Sequence, residues 1–220
     1  MTLTRHDDLS LRYLLNVPSG RADNAELPLV VMIHGRGADM NDLADLAAPL
    51  DSGYRWVFPN APKPFEAYPG MTFGWTWFDG WPPEEGSVAA SRETLLRFLD
   101  ELTARYRTTP GKIVVSGFSQ GGMMALELGL RTAQTLAGIA VMSGGLYEAN
   151  LPDLGRHRGL PLFIGHGSLD DVVPVNYARR ARAVLENAGL DVEYHEYAMS
   201  HQVVQEEAAE LRSFLSRILG

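Results

Sequence analysis

Lys112-Ile113-Val114-Val115-Ser116-Gly117-Phe118-Ser119-Gln120-Gly121-Gly122 is the stretch that decides the fold. KIVVS, residues 112–116, is a short continuous apolar run of the kind expected of a strand buried on both faces. From about Gln120 to Leu130 the pattern turns helical. Between the two lies Gly-x-Ser-x-Gly. A chain that passes so abruptly from strand to helix holds its central residue in strained backbone geometry and lifts that side chain clear of the sheet. Side chains two residues to either side would collide, which is why both positions are glycine. Ser119 is therefore the candidate nucleophile, placed on the sharp turn known as a nucleophile elbow.

Working outward, strand and helix alternate along the whole row. Leu9–Val17 reads as an edge strand, Leu29–Ile33 as a second buried run, and Tyr54–Phe58 as a strand that stops at Pro59. Ile139–Met142, Pro161–Ile164 and Val192–Tyr197 are further strands. Helices are expected over Asn41–Leu50, Ser87–Tyr106, Val175–Ala188 and His201–Leu219, and a loop rich in Pro, Gly and aromatics over Asn60–Glu85. In Ser87–Tyr106, Val88, Ser91, Leu95, Phe98, Leu99, Leu102 and Tyr106 share one face. The alternation predicts a single α/β domain over 1–220, with a mostly parallel sheet and helices on both faces. Sites in such sheets gather at the carboxyl ends of strands.

Composition narrows the function. A chain of 220 residues with 45% hydrophobic and 21% charged residues has the make-up of a globular domain with a full core. A net charge of -8 argues against a nucleic-acid partner. With no cysteine, a thiolate nucleophile, a disulfide and a Cys metal site are all excluded. Lysine occurs only at 63 and 112, each next to a proline or glycine loop rather than in an obvious pocket, which leaves little for Schiff-base chemistry. No apolar run reaches the ~18 residues of a membrane span and no secretory signal is visible, so the expected location is cytoplasmic.

A serine hydroxyl needs an adjacent, oriented base. Where an elbow follows a central strand, the acid and then the histidine come later in the chain. Beyond His166 stand His195, mid-strand, and His201, after the last strand at the start of the last helix; the second is the loop position a base requires. The acid must follow Pro161–Gly165, where Asp170 and Asp171 are equivalent by position. His34 and His166, each before a glycine at a strand end, are read as stabilising loops. For the negative charge that develops on a substrate carbonyl, the backbone N–H of Gln120 is one expected donor. The second is Arg36, from His34-Gly35-Arg36-Gly37 after LVVMI.

With these pieces in place, the sequence resembles the phospholipase/carboxylesterase family of α/β-hydrolases, which includes the acyl-protein thioesterases. The likeness runs through HGRGAD, FPNAP, WFD, GFSQGG, HGSLDDVVP and SHQV, in that order, across essentially the whole chain. It implies the α/β-hydrolase fold and hydrolysis of carboxylic esters or thioesters of short to medium acyl chains through an acyl-enzyme on Ser119. It implies His201 as base, places the acid on Asp170, puts the oxyanion donors at Arg36 and Gln120, and calls for no metal or cofactor. The expected partner is a small-molecule ester, and the family raises a homodimer without any stretch of sequence locating an interface. Arg36 departs from the apolar residue of many relatives and suggests an anionic group on the substrate. The aromatic stretch from Phe65 to Trp81 either walls an acyl or aryl pocket or tucks onto the core; Phe73, Trp75, Trp77 and Val173 are the expected substrate contacts. The rival readings are a non-catalytic ligand-binding protein on a hydrolase scaffold, since fold alone does not secure function, and an acyltransferase using the same residues.

Overall fold

The computed structural model describes residues 3–47 and 53–220. The strands are β1 (Leu3–His6), β2 (Tyr13–Asn16), β3 (Leu27–Ile33), β4 (Arg55–Pro59), β5 (Lys63–Tyr68), β6 (Met71–Thr76), β7 (Thr108–Phe118), β8 (Gly138–Met142), β9 (Pro161–Gly167) and β10 (Asp191–Tyr197). The helices are α1 (Ala44–Ala47), α2 (Glu85–Arg105), α3 (Gln120–Gly129), α4 (Asn176–Asn187) and α5 (Gln205–Leu219). Eight strands form one sheet in the order β1-β2-β4-β3-β7-β8-β9-β10, and β5 pairs with β6 in a separate hairpin. From β4 to β10 every neighbour is parallel, while β1 and β2 are antiparallel. This is the α/β-hydrolase fold.

Strand alternation sorts the core into two layers. Val31, Val57, Val115, Val141 and Ile164 face one side, where they cluster with Leu95, Leu99 and Leu102 of α2, Met124 and Leu128 of α3, and Leu185 of α4. Val30, Trp56, Val114, Ala140 and Phe163 face the other side, under Leu211, Phe214 and Leu215 of α5. A strand buried on both faces has no polar stripe, and hence the continuous apolar runs in the sequence. The helical face read from Ser87–Tyr106 is buried at all seven positions named for it. Among the described residues no helix is long and apolar enough to cross a membrane.

Four expectations about the elements need correction. The strand within Leu9–Val17 is only Tyr13–Asn16, fully buried and internal to the sheet. The true edge is Leu3–His6, whose short and largely exposed run leaves no apolar alternation to detect. The Asn60–Glu85 loop contains the β5–β6 hairpin, for the same reason: most of its residues are exposed. Within the expected helix Asn41–Leu50, Ala44–Ala47 are helical and 41–43 form a turn, while 48–50 lie outside the described residues. Finally, α5 begins at Gln205, so His201 sits in the preceding loop.

Strand order changes direction between β3 and β7, with β4 on one flank and β8 on the other. That switch point opens a crevice at the carboxyl ends of the strands. Ser119 leaves β7 there, Arg36 follows β3, Asp170 follows β9, and His201 follows β10.

Candidate active site

Ser119 has φ 56° and ψ −121°, left-handed geometry that costs energy for any residue with a side chain. Contacts on both sides hold it. A Cβ at Gly117 would run into the carbonyl of Gly121, and one at Gly121 into the carbonyl of Ile33. The Ser119 N–H donates to Met142 O at 2.8 Å, which fixes the turn against β8.

His201 and Asp170 converge on this hydroxyl. His201 Nε2 lies 2.8 Å from Ser119 Oγ, and His201 Nδ1 lies 2.7 Å from Asp170 Oδ2. A carboxylate can only accept, so Nδ1 carries the hydrogen and Nε2 is left to accept from the serine. The other oxygen of Asp170 accepts from the N–H groups of Val172 (2.9 Å) and Val173 (2.8 Å). Three donors thus hold a buried carboxylate in place. Asp171, its neighbour, is exposed. The tie left open by loop position is broken in space: Asp170 reaches the imidazole.

His34 and His166 brace the two loops that flank this chain of hydrogen bonds. Ala61 N–H donates to His34 Nε2 at 3.0 Å, so Nδ1–H donates to Gly35 O at 2.7 Å. Burial pushes the His34 pKa down to about 4 and keeps the ring neutral. His166 Nε2–H donates to Val173 O at 2.7 Å, and burial lowers its pKa as well. Each ring is a fixed strut. His195 is part-buried in β10 between Glu193 and Glu210, away from the crevice.

Arg36 and Gln120, the two expected oxyanion donors, line one chamber with Ser119. Gln120 is the first residue of α3, and the N–H groups of a helix's first turn have no partner within the helix. Among the described residues, neither the Arg36 N–H nor the Gln120 N–H has a backbone acceptor. The Gln120 side chain has a separate role that sequence reasoning missed. Its Oε1 accepts from Trp77 N–H (2.7 Å) and Thr76 Oγ1 (3.1 Å), and its Nε2 donates to Phe78 O (2.8 Å). One amide therefore ties the end of β6 to the start of α3.

A chamber of about 140 Å³ opens above Ser119 and Gln120, walled by Phe78, Trp81, Met123, Val172 and Val173, with Arg36 also lining it. Through Trp81 and Met123 it adjoins a groove of about 360 Å³, which Leu146, Tyr147, Tyr177 and Arg180 help to line. Of the expected substrate contacts, Val173 lines the chamber; Phe73, Trp75 and Trp77 do not. Trp77 is fully buried, its indole N–H donating to His34 O at 2.9 Å. Trp75 carries Arg12 over its ring, and Phe73 is half-exposed beside Gly74 and the Asp39–Asp45 segment. The aromatics that do reach the cleft, Phe78 and Trp81, lie at the end of the same stretch. Met123 is legible as one turn of helix beyond Ser119, and Leu146–Tyr147 as the segment after β8, a strand end by the same rule that singles out the other loops.

A sequence profile described as phospholipase/carboxylesterase matches residues 19–219. Acyl-protein thioesterase 1 of Mycosarcoma maydis is 32% identical over 234 residues, covering 94% of this chain and 96% of that protein. Among solved structures, a carboxylesterase from Mesorhizobium loti superposes with a TM-score of 0.82 at 19% identity, covering 98% of this chain and 99% of the other, a likeness of fold. The esterase PE8 superposes with a TM-score of 0.79 at 28% identity over the full length of both chains.

Proposed function

Since the chain belongs to the phospholipase/carboxylesterase family of α/β-hydrolases and is a serine ester hydrolase, we propose that Ser119, His201 and Asp170 carry the reaction. Ser119 Oγ attacks the carbonyl of a small-molecule ester as His201 Nε2 takes its proton. Asp170 holds the imidazole in the tautomer that can accept and stabilises the imidazolium that forms. The N–H groups of Gln120 and Arg36 receive the charge on the carbonyl oxygen. His201 returns the proton to the leaving oxygen or sulfur, and the acyl-enzyme remains. Water, deprotonated by His201, then releases the acid. The apolar groove beyond Trp81 and Met123 suits a short to medium acyl chain. The names of the relatives bring both oxygen esters and thioesters within the proposal.

The single observation that carries this reading is the continuous hydrogen-bond chain from Asp170 Oδ2 through His201 to Ser119 Oγ, at 2.7 and 2.8 Å. Ser119→Ala is expected to lower kcat on p-nitrophenyl butyrate by on the order of 10⁶-fold and to abolish labelling by a fluorophosphonate. Asp170→Asn is expected to lose about 10⁴-fold in kcat, by favouring the wrong tautomer. Asp171→Asn is expected to stay within about twofold, as for most exposed substitutions. Near-full turnover by Ser119→Ala, or equal losses at 170 and 171, would overturn the assignment.

A further inference from the structure

The chamber and the groove differ in charge. In the groove, Arg180 meets Glu148 in a two-pronged pair at 2.8 and 2.9 Å, so its one cation is neutralised. Arg36 is the only charged residue lining the chamber among the described residues. Its guanidinium donates from Nη2 to Gly80 O at 3.3 Å and lies 5.5 Å from the Phe65 ring centroid; neither contact is a carboxylate. Several other arginines are engaged by carboxylates, Arg105 by Asp8, Arg131 by Glu127, Arg179 by Glu196 and Arg217 by Glu193, and the buried Arg55 is engaged by the carbonyls of Arg107, Asp23 and Ala25. A guanidinium held by one carbonyl and a ring keeps donors free for a second partner, in a planar fork suited to carboxylate or phosphate oxygens.

Resting on the proposed reaction at Ser119, we propose that the Arg36 side chain selects esters whose leaving group carries an anion, a carboxylate or phosphate a few atoms from the scissile bond. The side of the substrate follows from the layout. The groove takes the acyl chain, for it is apolar and its charges cancel. The leaving group then occupies the chamber, against Val172 and Val173 of the loop that also holds Asp170, where His201 must reach the departing oxygen. Bond changes are those of ester hydrolysis: the Ser119 Oγ–carbonyl bond forms, the carbonyl–oxygen bond breaks, and the serine proton leaves on the alcohol. The anion stays on that alcohol, and Arg36 holds it throughout.

The test compares kcat/KM within matched pairs. 4-Carboxyphenyl butyrate against 4-carbamoylphenyl butyrate places the charge on a carboxylate leaving group. Monobutyryl glycerol phosphate against monobutyryl glycerol places it on a phosphate. Monophenyl glutarate against phenyl 4-carbamoylbutanoate places it on the acyl side. The expected result is a preference of about tenfold for the anionic member of at least one leaving-group pair at low salt, as for a charge-assisted hydrogen bond at an open site. That preference is expected to collapse in 0.5 M NaCl, as for an exposed charge pair at about that ionic strength. In Arg36→Gln the ratio is expected to fall to about one, and Arg36→Lys to restore part of it. The inference is overturned by a ratio near one in both leaving-group pairs of the wild type, by a preference confined to the acyl pair, or by a preference that survives Arg36→Gln. Failure of the parent reading looks different: Ser119→Ala would continue to turn over the neutral members of every pair.

Discussion

Two segments frame Ser119, and they are held in different ways. The turn at 117–121 is fixed by backbone against backbone, each glycine facing a carbonyl that a side chain would strike. The hairpin at 63–76, with the residues that follow it, is fixed by polar anchors at its inner end. Gly37 N–H donates to Trp75 O and Trp75 N–H to Ala38 O, both at 2.8 Å, while Gln120 and His34 clamp Thr76, Trp77 and Phe78. Its outer end, Tyr68, Met71 and Phe73, is open to solvent. The turn works as a unit. The hairpin works as a graded brace, anchored where it meets the loop after β3 and exposed a few residues away.

Trp77 and Phe73 separate those two ends. Trp77→Ala removes a fully buried indole together with the partner of His34 O, and is expected to cost about 3–5 kcal/mol, read from the urea midpoint. Phe73→Ala is expected to stay within about 0.5 kcal/mol. Comparable losses at both positions would show that the outer hairpin is packed and the brace not graded.

Gly74 tests whether the brace also shapes the site. It has φ 144°, and a Cβ there would strike the carbonyl of Gly37, next to Arg36 in the loop after β3. Gly74→Ala must push that loop outward. Displacement of a reacting geometry by about 1 Å is enough to cost on the order of 10²-fold, so kcat is expected to fall by about 10–100-fold. The acyl-enzyme burst should slow in step, with KM changed far less. Wild-type kcat in a folded Gly74→Ala protein would make the hairpin a bystander to catalysis.

The same contrast explains what could be read from the residues alone. Gly117, Ser119 and Gly121 are legible because the need for glycine is steric and local, and the buried strands because burial on both faces removes polar residues. His201 and Asp170 are legible as strand-end positions, while the choice of Asp170 over Asp171 rests in the sequence on the family likeness alone and in space on the hydrogen bond to His201. The hairpin's aromatics were not. An aromatic residue suits a core, a pocket wall or an exposed strand equally well, and Phe73, Trp77 and Trp81 illustrate all three destinations within nine positions. Only the partners of each ring, supplied by distant segments such as His34 and Gln120, decide among them. The edge strand at Leu3–His6 is not legible in the sequence because pairing with β2 is a backbone matter that leaves no apolar signature.

Two buried carboxyls, Asp170 and Glu207, are held in opposite ways. Asp170 accepts three hydrogen bonds. Glu207, near the start of α5 and packed on Gly165 of β9, has no partner for either oxygen among the described residues. Burial, with the charge of Glu210 adding to it, pushes the Glu207 pKa up to about 8. The folded protein therefore holds this proton through a range where an unfolded chain has already released it. Its contribution to stability is fully present below the ordinary glutamate range and is lost as pH rises from there through about 8. Glu207→Gln keeps the shape and cannot ionise. Its stability relative to wild type is expected to rise by about 3–4 kcal/mol between pH 5 and pH 8, measured by urea denaturation at each pH. The comparison across pH removes any constant cost of the amide itself. A difference that stays flat from pH 5 to pH 8 would mean that Glu207 is ionised in the fold, matched by a donor as Asp170 is.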